Sequence, residues 1–223
     1  MKRVILTGAS DGLGEKIGES LLKDKVEIVA ICRTKPNYNC EFIKCDLTKE
    51  QDIKNACDII LQNYTQFDAV INCAGIPCIQ PTNNTPYVEF ENVMKVNVIA
   101  PMFIVSNLFD LIKQNEADIL NIGSTVGTKA GPVNQVGYVT SKWAIRGTSL
   151  NLQNELKNTG CRVVQINAGG MNTHMHEKYN GSKIENPKEW IDPKDMAKFI
   201  VQILYLPKSM EISEVSINRK TQK

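Results

Sequence analysis

Short runs of β-branched and other apolar residues alternate along the chain with longer stretches whose apolar positions recur every three or four residues. Seven short runs stand out: Val4–Thr7, Val26–Ile31, Glu41–Cys45, Ala69–Asn72, Ile119–Ile122, Arg162–Ile166 and Glu214–Ile217. Most of them lack the apolar–polar alternation of a half-exposed strand, so they predict strands of a sheet buried on both faces. Between them the period changes. After Asp46, the residues Ile53, Ala56, Cys57, Ile60, Leu61 and Tyr64 form a stripe at helical spacing, which predicts an amphipathic helix. Thr48-Lys49-Glu50-Gln51 ahead of it has the form of a capping box, with the threonine as N-cap. A second helix is predicted from Asp192-Pro193 through Met196, Ala197, Phe199, Ile200, Ile203 and Leu204, with aspartate as N-cap and proline in the first helical position. Strands separated by helices in this order predict an α/β fold, a doubly wound parallel sheet of about seven strands with helices on both faces and right-handed crossovers. No repeat, low-complexity tract or linker interrupts the pattern, so residues 1–223 read as one domain.

Composition narrows the class. Of 223 residues, 42% are apolar and 22% charged, which excludes a disordered chain. Lys and Arg number 26 against 24 Asp and Glu, a net charge of +2, with none of the basic excess of a nucleic-acid binder. The 7 cysteines are odd in number and contain no C-x-x-C pair, so a reducing cytoplasm is expected rather than a disulfide framework. No apolar run is long enough to span a membrane. Met1-Lys2-Arg3 is followed by only Val4-Ile5-Leu6 before polar residues, too short for a signal peptide. The expectation is a soluble cytoplasmic protein.

Candidate chemistry begins at the end of the first strand, in Thr7-Gly8-Ala9-Ser10-Asp11-Gly12-Leu13-Gly14. Glycines at such spacing let a backbone turn tightly, approach a pyrophosphate and pack helix on strand. The helix N-terminus that follows offers N–H groups to phosphates. The spacing differs from the general G-x-G-x-x-G pattern, and alone it also suits a βα turn that binds nothing. Strand two ends in Cys32-Arg33-Thr34. A carboxylate there would read a ribose 2′-hydroxyl, whereas an arginine accommodates a 2′-phosphate. Arg33 therefore points to NADP(H), with Asp11 as a negative charge in the neighbouring loop, although a plain surface arginine would look the same.

Tyr138-Val139-Thr140-Ser141-Lys142 opens a predicted helix. Its i, i+4 spacing puts phenol and ammonium on one face. A free tyrosine titrates near ~10, and a neighbouring lysine cation favours the phenolate and a proton exchangeable near neutral pH. Ser124 ends the fifth strand, at the carboxyl edge where open α/β sheets bind ligands. A lone Y-x-x-x-K is common by chance; its value lies in its company.

Together these motifs resemble the short-chain dehydrogenase/reductase family in its compact single-domain, Rossmann-like branch. The resemblance runs from Val4 to about Asn218. The glycine turn (Gly8, Ser10, Asp11, Gly12, Leu13, Gly14) is similar to the family's cofactor turn. Asp46-Leu47 resembles the pair flanking the adenine, and Asn72-Cys73-Ala74-Gly75 the N-A-G element that also borders the cofactor. Asn97, in Lys95-Val96-Asn97-Val98, matches the helix asparagine of the catalytic tetrad, and Ser124, Tyr138 and Lys142 match its other members. The resemblance implies that Tyr138 is the general acid or base and that Ser124 hydrogen-bonds the substrate oxygen. It implies that Lys142 holds the nicotinamide ribose and that Asn97 keeps a water in the proton relay. Thr173 falls where the family's threonine contacts the carboxamide. Ala168-Gly169 stands where proline-glycine is usual, so this loop is expected to be less preset.

His174 and His176 suggest no metal, because no third ligand is placed by spacing. The polar segment Thr173–Pro187 replaces a lid and favours a small or polar substrate over a steroid-like one, and Trp190 reads either as a lid anchor or as plain core, with core preferred. The implied activity is hydride transfer between NADP(H), with NAD(H) possible, and a carbonyl or secondary alcohol. The rivals are an NAD(H)-linked sugar or polyol dehydrogenase, a 3-oxoacyl-thioester reductase with an acidic carrier received at Lys129, Lys178 and Lys183, and a dinucleotide-binding regulator without turnover. A homodimer is expected through the helices holding Asn97 and Tyr138, with Ile104, Leu108, Ile145 and Leu152 as apolar positions available to it. A tetramer is less expected, because little chain follows Asn218.

Overall fold

All seven apolar runs become strands of one sheet in the computed structural model, which describes residues 1–175, 177, 184 and 186–220. The strands are β1 (Arg3–Thr7), β2 (Glu27–Cys32), β3 (Glu41–Lys44), β4 (Ala69–Asn72), β5 (Asp118–Ile122), β6 (Val163–Ala168) and β7 (Glu214–Ile217). They lie in the order β3-β2-β1-β4-β5-β6-β7, and every neighbouring pair is parallel. The chain starts in the middle, winds out to β3, then returns to lay β4 beside β1. That reversal opens a crevice at the carboxyl ends of β1 and β4, the place where such sheets take ligands.

The helices among the described residues are α1 (Gly12–Lys23), α2 (Glu50–Asn63), α3 (Tyr87–Met94), α4 (Ala100–Asn107), α5 (Phe109–Gln114), α6 (Val136–Leu156) and α7 (Pro193–Leu204). Successive strand residues point to opposite faces, and both faces are covered. Ile5, Val29, Val70 and Ile119 join α2, α4, α5 and the end of α6 in one core. Val4, Leu6, Ile28, Ile71, Leu120 and Ile166 join α1 and α7 in the other. The unalternating strand composition is thus a consequence of burial on two sides.

Three local features depart from the sequence pattern or go beyond it. The threonine of the capping box does not cap. Lys49 is the N-cap of α2 and contributes no side-chain bond, because the Thr48 hydroxyl donates to Asp46 Oδ1 at 2.8 Å. A carboxylate acceptor makes the stronger, charge-assisted bond. Asp52 reaches back instead, accepting the Asp46 N–H at 3.0 Å. By contrast Asp192 caps α7 as read, accepting from Lys194 N at 2.8 Å. Second, Arg162 lies just ahead of β6. It is buried, with its Nη2 2.6 Å from Asp118 Oδ2 and its Nη1 donating to the carbonyls of Leu206, Pro207 and Met210. This pair clamps the edge of the sheet opposite the crevice. Third, α3 passes into a five-residue π turn, Lys95–Ile99, before α4. Pro101 supplies the cause, since it has no N–H for the Asn97 carbonyl and its ring crowds that position.

Candidate active site

The glycine turn is built by contact distances. Gly8 has φ +68°, and a Cβ there would stand 2.7 Å from Ala74 Cα. A Cβ on Gly14 would stand 2.1 Å from the Gly8 carbonyl oxygen. Gly12, at φ +56°, opens α1. Thr7 Oγ1 accepts the N–H groups of Cys73 at 3.0 Å and Ala74 at 3.1 Å, which binds the loop after β4 against the turn. Asp11, the N-cap of α1, makes no side-chain cap bond; its Oδ1 lies 2.9 Å from His174 Nδ1. A Cβ on Gly12 would lie 3.6 Å from Thr173 Cβ, so the segment after β6 closes over the turn. The result is a backbone cradle at a helix N-terminus, suited to a phosphate-bearing ligand.

From this cradle a cleft of about 1210 Å³ runs in both directions. One end is walled by Cys32, Arg33, Asp46 and Leu47. Arg33 is exposed there. The Thr48 N–H, then its hydroxyl, hold the Asp46 carboxyl below its ordinary range against partial burial. Burial pushes the Cys32 thiol up to about 11.

The other end holds Ser124, Tyr138 and Lys142. Ser124 leaves β5 in extended conformation. Lys142 is buried; its Nζ donates to the Ile122 carbonyl at 3.0 Å and lies 5.5 Å from the centre of the Tyr138 ring. Asn97, on the π turn, sits behind the cleft wall. Its Oδ1 accepts from Ile76 N at 2.8 Å, and its Nδ2 donates to Ile76 O and to Ser141 Oγ, both at 3.0 Å. Gly75 adjoins both polar groups: a Cβ there would lie 3.6 Å from Asn97 Oδ1 and 3.7 Å from Lys142 Nζ. Burial pushes the neighbouring Cys73 thiol up to about 12, against the pull of the Lys142 cation.

Of the residues singled out by sequence, Gly8, Ser10, Asp11, Gly12, Leu13, Gly14, Arg33, Asp46, Leu47, Ala74, Gly75, Ser124, Tyr138, Lys142 and Thr173 share the cleft wall. Asn72 does not. Its Nδ2 donates to Asn121 Oδ1 at 2.8 Å inside the sheet, and its buried Oδ1 has no hydrogen-bond partner. Trp190 is not core either. It is half-buried on the cleft wall, where a Cβ on Gly170 would meet its ring at 2.8 Å. The loop after β6 is held without proline, because Ala168 pairs with Ile217 and the Gly169 N–H donates to Ile217 O at 2.8 Å. Ser141 and the Ile76 backbone, which fix Asn97, carry no signal in the Y-x-x-x-K spacing. Arg219, also on the wall, lies past the last motif. His176, Lys178 and Lys183 lie outside the described residues, and Lys129 Nζ contacts Asn218 Oδ1 at 3.5 Å. Among the described residues no group of three or more His, Cys, Asp or Glu is arranged to hold a metal. None of the described helices is long and apolar enough to cross a membrane.

Comparison with known proteins gives concordant results. The family model described as short chain dehydrogenase matches residues 2–183. An uncharacterized oxidoreductase of Staphylococcus epidermidis is 26% identical over 226 residues, covering 97% of this chain and 96% of that protein. Among solved structures, an alcohol dehydrogenase from the archaeon Thermococcus sibiricus, complexed with 5-hydroxy-NADP, superposes with a TM-score of 0.88 at 24% identity, covering 100% of this chain and 98% of that one. A 4-hydroxyisoleucine dehydrogenase complexed with NADH superposes with a TM-score of 0.83 at 22% identity, covering 98% of each chain.

Proposed function

The chain belongs to the short-chain dehydrogenase family, and from that premise we propose that it interconverts a carbonyl compound and a secondary alcohol, with NADP(H) preferred over NAD(H). The observation that carries this reading is the convergence of Ser124, Tyr138 and Lys142 on the cleft that also contains the glycine cradle. A dinucleotide fits the residues present: the turn that forms the cradle leaves no room for Cβ atoms at Gly8 or Gly14, which would collide with Ala74 and with the Gly8 carbonyl, Leu47 and Asp46 wall the adenine end, and Thr173 closes over the turn. When bound, the dinucleotide supplies hydride chemistry.

The chain's own residues do the rest. Tyr138 holds at its hydroxyl the proton that passes to the substrate oxygen in reduction and returns in oxidation. Ser124 Oγ donates a hydrogen bond to that oxygen as negative charge develops on it. Lys142, its ammonium fixed by the Ile122 carbonyl, faces the tyrosine ring and would hold the nicotinamide ribose of a bound dinucleotide. Asn97, clasped by Ile76 and Ser141, keeps the proton path in place. A regulator without turnover would need no such proton-handling set.

We place the enzyme in the cytoplasm as a homodimer. The test is a panel of carbonyl compounds and alcohols followed by nicotinamide absorbance with both cofactors. Tyr138→Phe should lower turnover on the order of 10²–10⁴-fold and leave the cofactor dissociation constant within twofold or so of wild type. Undiminished turnover by the Phe variant would remove the tyrosine from the mechanism.

A further inference from the structure

The substrate end of the cleft carries a cation that the proton-handling set does not use. Arg219 stands two residues beyond β7, on the cleft wall. Its guanidinium carbon lies 4.5 Å from the centre of the Trp190 ring. The ring in turn is pressed on Gly170, where a Cβ would meet it at 2.8 Å, and a Cβ on Gly169 would meet Arg219 N at 2.9 Å. Arginine and tryptophan are therefore seated on the loop after β6, at the end of the cleft opposite Arg33. Among the described residues Arg219 forms no ion pair. The carboxylates on the described cleft wall, Asp11 and Asp46, belong to the cofactor half. The other cation at this end, Lys142, is committed to the Ile122 carbonyl and faces Tyr138.

We propose that Arg219, held over Trp190, selects substrates that carry a carboxylate a few bonds from the reacting carbon, so that the enzyme acts on oxo acids and hydroxy acids. This rests on the redox reading above. A guanidinium lying over an aromatic face is partly desolvated and oriented while its N–H edge stays available. Two parallel N–H groups on that edge match one carboxylate. Adjacent strands are about 4.8 Å apart, so the carboxyl ends of β5, with Ser124, and of β7, leading to Arg219, are separated by roughly 10 Å. A short-chain acid whose carbonyl oxygen faces Ser124 and Tyr138 would extend toward the guanidinium.

The experiment pairs each acid with its methyl ester: 2-oxobutanoate, acetoacetate and levulinate, in which the carboxylate moves one carbon at a time from the ketone. Turnover with NADPH is measured alongside binding. The chain has two tryptophans, Trp143 and Trp190, so in a Trp143→Phe background the emission of the NADPH-loaded protein reports Trp190 alone. At least one acid should change that emission saturably and be reduced with a kcat/KM roughly ten- to a hundredfold above its ester. Arg219→Ala should erase the difference by lowering the acid alone, Arg219→Lys should restore part of it, and the NADPH dissociation constant should stay unchanged. Esters turned over as well as acids, or an Ala variant that lowers both alike, would overturn the proposal and leave the redox reading standing. So would the absence of any acid-induced change in emission. Acid binding that depends on Arg219, with no nicotinamide oxidation by any compound, would support the anion site and count against the redox reading.

Discussion

Arg33 and Gly14 differ in how much each can be read without a structure. Gly14 is dictated by a single contact, a Cβ that would sit 2.1 Å from the Gly8 carbonyl oxygen, and steric demands of that kind survive as residue identity. Arg33 is only an exposed side chain on a cleft wall, and its meaning depends on what it faces. No carboxylate occupies its own strand end, and Asp46 is engaged by Thr48. Asp11 lies within hydrogen-bonding distance of His174. A 2′-phosphate met by the guanidinium fork gains charge-assisted hydrogen bonds of roughly 1.5–3 kcal/mol, or about ten- to a hundredfold in affinity. Arg33→Ala should therefore weaken NADPH binding by that factor while NADH binding hardly moves. Dissociation constants for both cofactors and both proteins check this: equal losses would show that Arg33 does not read the phosphate. Asn72 and Trp190 were illegible for the opposite reason. Each has a type that suits two environments, and only the partner chosen by the fold, Asn121 or Gly170, decides between them.

Strands and helices were legible where one pattern had no competitor. Sheet burial on two faces wrote itself into the unalternating runs of the strands between β3 and β7, and Asp192-Pro193 marked the start of α7 because nothing nearby competes for the aspartate. Thr48 failed as a cap because Asp46, two residues away, takes its hydroxyl. The π turn had a visible cause in Pro101, four residues after Asn97, but it is recognisable only once α3 and α4 are known to be continuous with it. Other links join elements far apart in sequence and leave no periodic trace. A line of hydrogen bonds passes from Asn72 through Asn121, Ser149, Gln165 and Asn167 to Glu214, crossing β4, β5, α6, β6 and β7. Arg146 of α6 closes it, with Nε 2.6 Å and Nη2 3.0 Å from the Glu214 carboxylate. Arg146, then Asn167, hold the Glu214 carboxyl below its ordinary range. A depressed carboxyl contributes stability that is present above the unfolded value, ~4.3, and is lost as pH falls through the folded value. Glu214→Gln should thus lower the urea midpoint at pH 7, and the gap from wild type should close as pH drops below about 4. An equal gap at pH 7 and at pH 3.5 would mean that the charge of Glu214 is not what α6 and β7 share.

At the scale of the whole molecule, the question is which apolar surface one copy leaves uncovered. Ile104, Leu108, Ile145 and Leu152, the positions read from sequence as available to a partner, are all spent on the chain's own core, at 0 to 4% exposure. A helical stripe has two flanks, and composition does not say which flank the sheet takes. The residues left outside are Val136, Trp143 and Leu150 on α6, at 49%, 44% and 45% exposure. They are spaced seven residues apart, which puts them on one face of the helix. Ile99 on the π turn, 55% exposed, adds to the apolar surface of the elements that hold Asn97 and Tyr138. A two-fold axis beside α6 would set this stripe against its own copy, the self-complementary arrangement of most soluble dimers, and would brace the helix that bears Tyr138 and Lys142. Sedimentation of the wild-type protein at micromolar concentration should give a dimer. Trp143→Glu would place a charge in the middle of the stripe on both sides of the axis at once, and should give a monomer with an unchanged far-ultraviolet circular dichroism spectrum. A substitution inward on the same helix, Ile145→Ala, should instead cost about 2–5 kcal/mol of stability by leaving a cavity without changing the association state of the folded protein. A wild-type monomer, or a Trp143→Glu protein that still sediments as a dimer, would move the interface away from α6.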